Sequence, residues 1–207
     1  MIEAVPEKKL LVAFSKGFGL RKLFEKRITN LLSSFVPQEI ALAQDDKKIA
    51  EDYFIERGFP TKTVALGNTR SAVKRSTDYF THIVIFWDGD DLTELVFFAK
   101  LLNKNLRIVP VQLAKVRNKD KGERFDIYIG RGTPWGNPFP IGLGGVGDSR
   151  EVVINKYQKY FNEDILSDPE KKKALLSLRG YRLACHCKPL ACHGDIIADY
   201  LNSYEDE

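Results

Sequence analysis

The chain has 207 residues, 43% apolar and 29% charged, which excludes a disordered or fibrous chain and fits one large or two small globular domains. Its 32 basic and 28 acidic residues leave a net charge of +4, too mild for charge alone to make nucleic acid a partner. The opening MIEAVPEKKLLVAF has too short an apolar run to span a membrane and lacks the order of a secretion signal, so the sequence reads as cytoplasmic with no membrane partner.

Residues 10–14 form a short apolar run of the buried-strand kind. Residues 20–35 then place Leu20, Leu23, Phe24, Ile28, Leu31 and Leu32 at helical spacing, and Pro37 helps to end that helix. The same alternation repeats: a strand at 39–43, a helix at 46–57 closed by Gly58, a strand at 61–66, a helix at 71–80, the strongest strand at 82–87, a helix at 92–102 and a strand at 106–112. Five strands alternating with helices predict an α/β domain with a five-stranded, mainly parallel sheet and helices on both faces. Ligands of such sheets bind at the carboxyl ends of the strands, here residues 15–19, 44–46, 67–70 and 87–91. Asp88, Asp90 and Asp91 at the last of these could hold a metal or ribose hydroxyls, or simply form a turn with Gly89.

Residues 116–123 are polar and charged and read as a linker between a first domain at 1–115 and a smaller α+β domain at 124–207. In that second domain a strand is expected at 124–129. Residues 130–147 hold seven glycines and three prolines, too many for a regular element. Asp148 with Glu151 three residues on reads as a capping box opening a helix through Val152, Val153, Tyr157, Tyr160 and Phe161. Ser167-Asp168-Pro169-Glu170 opens another, residues 181–185 form a short strand, and 194–201 a final helix.

Every cysteine lies at 185–192, as Cys185, Cys187 and Cys192, beside His186 and His193. A disulfide framework would spread its cysteines, so these read as thiols or metal ligands in a reducing compartment. Three readings stay open. Cys185, Cys187, Cys192 and His193 could complete a tetrahedral zinc site, although one short stretch must then supply all four ligands. Cys192, at a helix N-terminus beside His193 and with Asp195 to orient a histidine, could be a catalytic thiolate. Or Cys185 and Cys187 are small core residues, with Cys192 and His193 shaping the loop.

The run Gly130-Arg131-Gly132-Thr133-Pro134-Trp135-Gly136-Asn137-Pro138-Phe139 reads as a rigid ligand-binding loop. Arg131 suits a phosphate or carboxylate, Asn137 a base or hydroxyl edge, and Trp135 a stacked ring, with Thr133 in the same frame. Arg150, in the first turn of the following helix, could join the helix dipole in holding an anion. Residues 142–147 match G-x-G-x-x-G, but no good strand feeds them, so they read as a flexible loop. The basic runs 117–121 and 171–173 read as solvated surface, with nucleic-acid binding as the lesser reading.

The glycine-rich decapeptide, Arg150, Leu183-x-Cys185-x-Cys187-Lys188-Pro189 and Cys192-His193-Gly194-Asp195 occur in one order over about residues 124–201. In these motifs the chain resembles the domain-of-unknown-function family 4326, known from bacteria and phages. That resemblance implies a compact domain whose motifs converge on one pocket, and no established reaction. In the first domain, Ala50-Glu51-x-Tyr53-x-x-Glu56-Arg57-Gly58-x-Pro60 and Ile85-Phe86-Trp87-Asp88-Gly89 resemble the YspA-like branch of the SLOG superfamily. This superfamily of Rossmann-like nucleotide-binding domains includes the lonely-guy phosphoribohydrolases and DNA-processing proteins. The branch has a Gly-Ser-Arg turn where this chain has Phe14-Ser15-Lys16, and a Gly-Gly phosphate loop where it has Ala43-Gln44-Asp45-Asp46. Acidic residues in place of those glycines would repel a phosphate, which makes the first domain a scaffold.

Together these readings predict a pocket in the second domain that binds and processes a nucleotide- or nucleoside-derived small molecule. N-glycosidic-bond chemistry and base or sugar modification, by a hydrolase or a transferase, are the chemistries in view. The alternative is a non-catalytic module that sequesters a nucleotide signal or binds a protein or nucleic-acid partner. A homo-oligomer is compatible with either.

Overall fold

The computed structural model describes residues 7–142 and 147–205. It divides into two compact units, the first running to Val111 and taking in Glu205 as well, the second spanning Gln112–Tyr204. Among the described residues, no helix is long and apolar enough to cross a membrane.

The first unit alternates β1 (Lys9–Phe14), α1 (Arg21–Leu32), β2 (Glu39–Ala43), α2 (Ile49–Glu56), β3 (Thr61–Thr63), α3 (Arg70–Tyr79), β4 (His82–Trp87), α4 (Thr93–Leu101) and β5 (Asn105–Pro110). The sheet order is β3-β2-β1-β4-β5 and every neighbouring pair is parallel, with Val12 opposite both Leu42 and Val84. Period-2 alternation assigns the two faces. Phe14 and Phe86 point to one side and pack on Phe24 of α1, at centroid distances of 5.7 and 5.6 Å, with Tyr53 and Phe54 of α2 against the same ring. Leu11, Ala13, Ala41, Ala43, Ile83 and Ile85 point to the other and meet Leu95, Val96 and Ala99 of α4 and Val73 of α3. The central strands are buried on both faces, hence their unbroken apolar runs.

The second unit holds β6 (Lys115–Asn118), β7 (Ile127–Tyr128), α5 (Arg150–Tyr160), a π-helical turn at Phe161–Ile165, α6 (Pro169–Leu176), β8 (Arg182–Cys185) and α7 (His193–Leu201). Its three strands run parallel in the order β6-β8-β7. Asp126 clamps β7 to β8 through a bidentate pair with Arg182, at 2.6 and 2.9 Å, which holds the Asp126 carboxyl well below the usual carboxylate range. The core gathers Ile129, Trp135, Tyr157, Phe161, Leu183 and Ile197.

Two sequence expectations are corrected here. Residues 116–123 are not a linker: Lys115–Asn118 is an edge strand of the second sheet, followed by a tight turn at Lys119–Lys121. Val116 packs on the core while charged residues alternate with it, a pattern common to edge strands and linkers. The first helix of this unit is capped by Ser149, whose side chain accepts from Val152 N, and not by Asp148, which pairs instead with Lys156. Asp168 and Pro169 open α6 as the sequence indicates. The G-x-G-x-x-G string falls mostly on residues 143–146, outside the described residues.

Candidate functional site

The carboxyl ends of β6, β7 and β8 lead to Asp120, to Tyr128 and Arg131, and to Cys185, His186 and Cys187. A cavity of about 370 Å³ opens beside the last two of these strand ends. Its wall includes Arg131 and Asn137 from the glycine-rich loop, Arg150 from the first turn of α5, and Cys185, Cys187, Cys192 and His193. Motifs some fifty residues apart in sequence thus meet because β7 and β8 are neighbours, and loops leaving parallel neighbours emerge at one edge.

Each predicted residue has a definite place. Arg131 donates Nε to Asn137 O (3.3 Å) and Nη2 to Phe139 O (3.2 Å), which ties the loop together. Arg150 donates Nη1 to Ala191 O (3.1 Å). Among the described residues neither guanidinium has a carboxylate partner. Asn137 Oδ1 accepts from Phe139 N (2.9 Å), an Asx turn. Thr133 does not line the cavity; its hydroxyl donates to Gly130 O (2.9 Å). Trp135 is not a stacking face: it is 8% exposed and belongs to the core, as the largest apolar side chain of the loop gains most from burial. Asp195 does not reach a histidine. Its Oδ2 accepts from Cys192 N (2.9 Å), completing the capping box of α7, and its other oxygen pairs with Lys188.

The three cysteines are free and their Sγ atoms lie within 4.8 Å of one another, with Cys185 and Cys192 at 2.9 Å. His193 does not join them. Its Nε2 lies 2.8 Å from Ile129 O, an acceptor only, so this nitrogen carries the proton and the ring is turned into the core against Tyr157. Cys192, expected as a nucleophile, is buried at 2% exposure. Its hydrogen bond to Cys185 and its burial push the Cys192 thiol up, while the same bond pulls the Cys185 thiol below its usual range.

One chain of polar groups escaped the sequence reading. Asp120 carboxylate oxygens lie 2.8 and 2.9 Å from His186 Nδ1, and His186 Nε2 lies 3.0 Å from the Tyr128 hydroxyl. Tyr128 and His186 both line the cavity. The hydroxyl fits only because residue 130 is glycine: a Cβ there would come within 2.1 Å of it. The signal was split across three segments, and Asp120 lay in the stretch read as a linker.

In the first unit the strand ends are occupied by its own carboxylates. Asp91 Oδ2 accepts from Lys16 N (2.8 Å), Ser15 Oγ bonds Asp88 (3.1 Å), and Asp45 Oδ2 accepts from Ala50 N and Glu51 N at 2.9 Å each. Asp45 therefore fills the N-terminus of α2, where a phosphate would otherwise accept. Burial raises its carboxyl above the usual range, against the pull of those N–H bonds.

Comparison with known proteins accounts for both units. The profile of the minimal SLOG domain matches residues 7–117, more than half of the chain. The chain belongs to the minimal SLOG family. The rest of this SLOG protein, residues 111–203, matches the domain of unknown function DUF4326. Over 91 residues it is 46% identical to an uncharacterized 12.4 kDa protein in the nrdA-td intergenic region of Enterobacteria phage T4, a match that covers 44% of this chain and 80% of the phage protein. No solved structure matches.

A SLOG-type domain points to a nucleotide-related function. In this SLOG protein the backbone N–H groups of Lys16, Ala50 and Glu51 at the strand ends of that domain already have carboxylate partners. Asp45→Ala should cost about 1 kcal/mol through the lost cap, read as a lower denaturation midpoint of the full chain. An unchanged midpoint would show that the cap contributes nothing.

Proposed function

We propose that this SLOG protein binds a nucleotide- or nucleoside-derived phosphate ester in the cavity of its second unit and processes it by hydrolysis or group transfer at the base or sugar. The observation that carries the reading is the pair of guanidinium groups, Arg131 and Arg150, lining one cavity without a carboxylate partner among the described residues. Arg131 is exposed and Arg150 half-buried, and a guanidinium bonded only to carbonyls keeps its full charge for an anion. Arg150 is also the first residue of α5, and Cys192 and His193 begin α7, so two helix N-termini add positive potential. Phe139, Ile141, Val153 and Ile154 give the remaining wall an apolar character suited to a base or sugar face. The Tyr128 hydroxyl, held by His186 and Asp120, supplies a positioned polar group beside them.

Calorimetry with mononucleotides, dinucleotides, nucleotide sugars and the matching nucleosides tests the reading. A phosphate-bearing ligand should bind, and Arg131→Ala should weaken it at least about tenfold, since a charge-assisted bond contributes roughly 1.5–3 kcal/mol. Arg131→Lys should fall between the two, because it keeps the charge and loses the fork. Nucleosides binding as tightly as their phosphates would sink the proposal. Binding without turnover would assign the cavity to capture of the ligand in place of chemistry.

A further inference from the structure

We propose that Cys185, Cys187 and Cys192 form a three-thiolate site for a divalent ion of the zinc class, with the fourth coordination position open to the cavity. Four bonds of about 2.3 Å to tetrahedral ligands put neighbouring sulfurs about 3.8 Å apart. The observed separations, 2.9 Å for Cys185 and Cys192 and at most 4.8 Å overall, bracket that value. Metal entry requires each separation to change by about 1 Å or less. Soft thiolates select zinc over magnesium or calcium.

The surroundings support sulfur that carries charge. Cys187 N donates to Cys185 Sγ (3.4 Å) and Gly194 N to Cys192 Sγ (3.2 Å), hydrogen bonds of the kind that orient metal thiolates. Residue 194 must be small for that approach: a Cβ there would lie 2.9 Å from Ile129 Cδ1 and 3.2 Å from Cys192 Sγ. On binding, the thiol protons pass to solvent, and three thiolates around a dication leave one net negative charge. Arg131 and Arg150, on the same cavity wall, offset it.

The open position follows from what is missing from the ligand set. Among the described residues the sulfur cluster gathers no histidine, aspartate or glutamate, His193 included. All three cysteines line the cavity, so a fourth ligand must come from water or from a bound molecule there. Three protein ligands with one exchangeable position is the arrangement of catalytic and not of structural zinc. The inference stands without the nucleotide reading, which it would deepen by giving a bound ligand an electrophile.

The test uses the full chain, reduced and freed of metal, titrated with cobalt(II) alone and then with zinc. One cobalt per chain should bind, with a near-ultraviolet sulfur-to-cobalt charge-transfer band and the red-end bands of four-coordinate cobalt. Zinc should displace it. Cys187→Ser removes the half-buried thiol with the least damage to packing. It should weaken cobalt binding by more than the about 10–100-fold that loss of an outer supporting hydrogen bond costs, with unchanged circular dichroism. His193→Gln should keep the charge-transfer band, and added imidazole should shift the red-end bands by entering the open position. No charge-transfer band in the folded, reduced chain overturns the site. Equal loss in His193→Gln overturns the three-thiolate form, and indifference to imidazole overturns the open position. A cobalt site in a protein that binds no nucleotide would defeat only the preceding proposal.

Discussion

Trp135→Ala should destabilise the second unit by about 3–5 kcal/mol, most of what a small unit has to lose. The indole is packed among Tyr157, Leu183 and Ile197 in the core of that unit. Its own carbonyl accepts the Tyr157 hydroxyl at 2.8 Å, which fastens the glycine-rich loop to α5. Burial pushes the Tyr157 phenol well above its usual range, which favours the protonated, donating form. Truncation therefore opens a cavity and loosens the anchor together. Denaturant unfolding followed by circular dichroism should show the loss of a large part of the transition. A stacking role would give the opposite result, weaker ligand binding with unchanged stability, and that outcome would return Trp135 to the cavity wall.

Gly136→Ala should be nearly as damaging, for a different reason. A Cβ at 136 would lie 2.6 Å from Gly130 O, 2.8 Å from Arg131 Cα and 2.9 Å from Gly130 C. These are backbone atoms, so no rotamer change relieves the clash, and the loop itself must move. Overpacking of this kind costs about 1–3 kcal/mol and occasionally more. Because the displaced atoms belong to Gly130 and Arg131, the guanidinium and the space over Tyr128 shift with them. The variant should lose ligand affinity at least as far as Arg131→Ala and also melt lower, whereas Arg131→Ala should scarcely change the melting temperature. Wild-type stability and affinity in Gly136→Ala would show that the loop is soft and that its glycines do not set the site.

The two units differ in how much of them is local. In the first, the strands β1, β2 and β4 are apolar runs buried on both faces and alternate with helices, so the periods along the chain were enough to predict the five-stranded parallel sheet. The departure from the glycine-rich loop of the resembling branch was also visible, since Asp45 stands where that branch has a glycine. What the sequence could not say is that Asp45 folds back onto Ala50 N and Glu51 N and satisfies its own helix. In the second unit the chemistry was legible as residue types: a thiol cluster, an arginine on a stiff loop, and another arginine at a helix start. Their meeting depended on β7 and β8 being neighbours, which no local pattern encodes. The directions of side chains in irregular segments were decided only by tertiary packing. Trp135 reads equally well as a platform or as core until the fold gathers it with Tyr157 and Leu183 in the core of the second unit. His193 reads as a zinc ligand until the fold seats its ring against Ile129 O and Tyr157, outside the sulfur cluster. Lys115–Asn118 reads as a charged linker until β8 supplies its hydrogen-bonding partner. Composition and period determine which residues must be buried; which atom each polar group meets is set by long-range packing, because a hydrogen bond's partner is chosen by proximity in space and leaves no periodic trace along the chain.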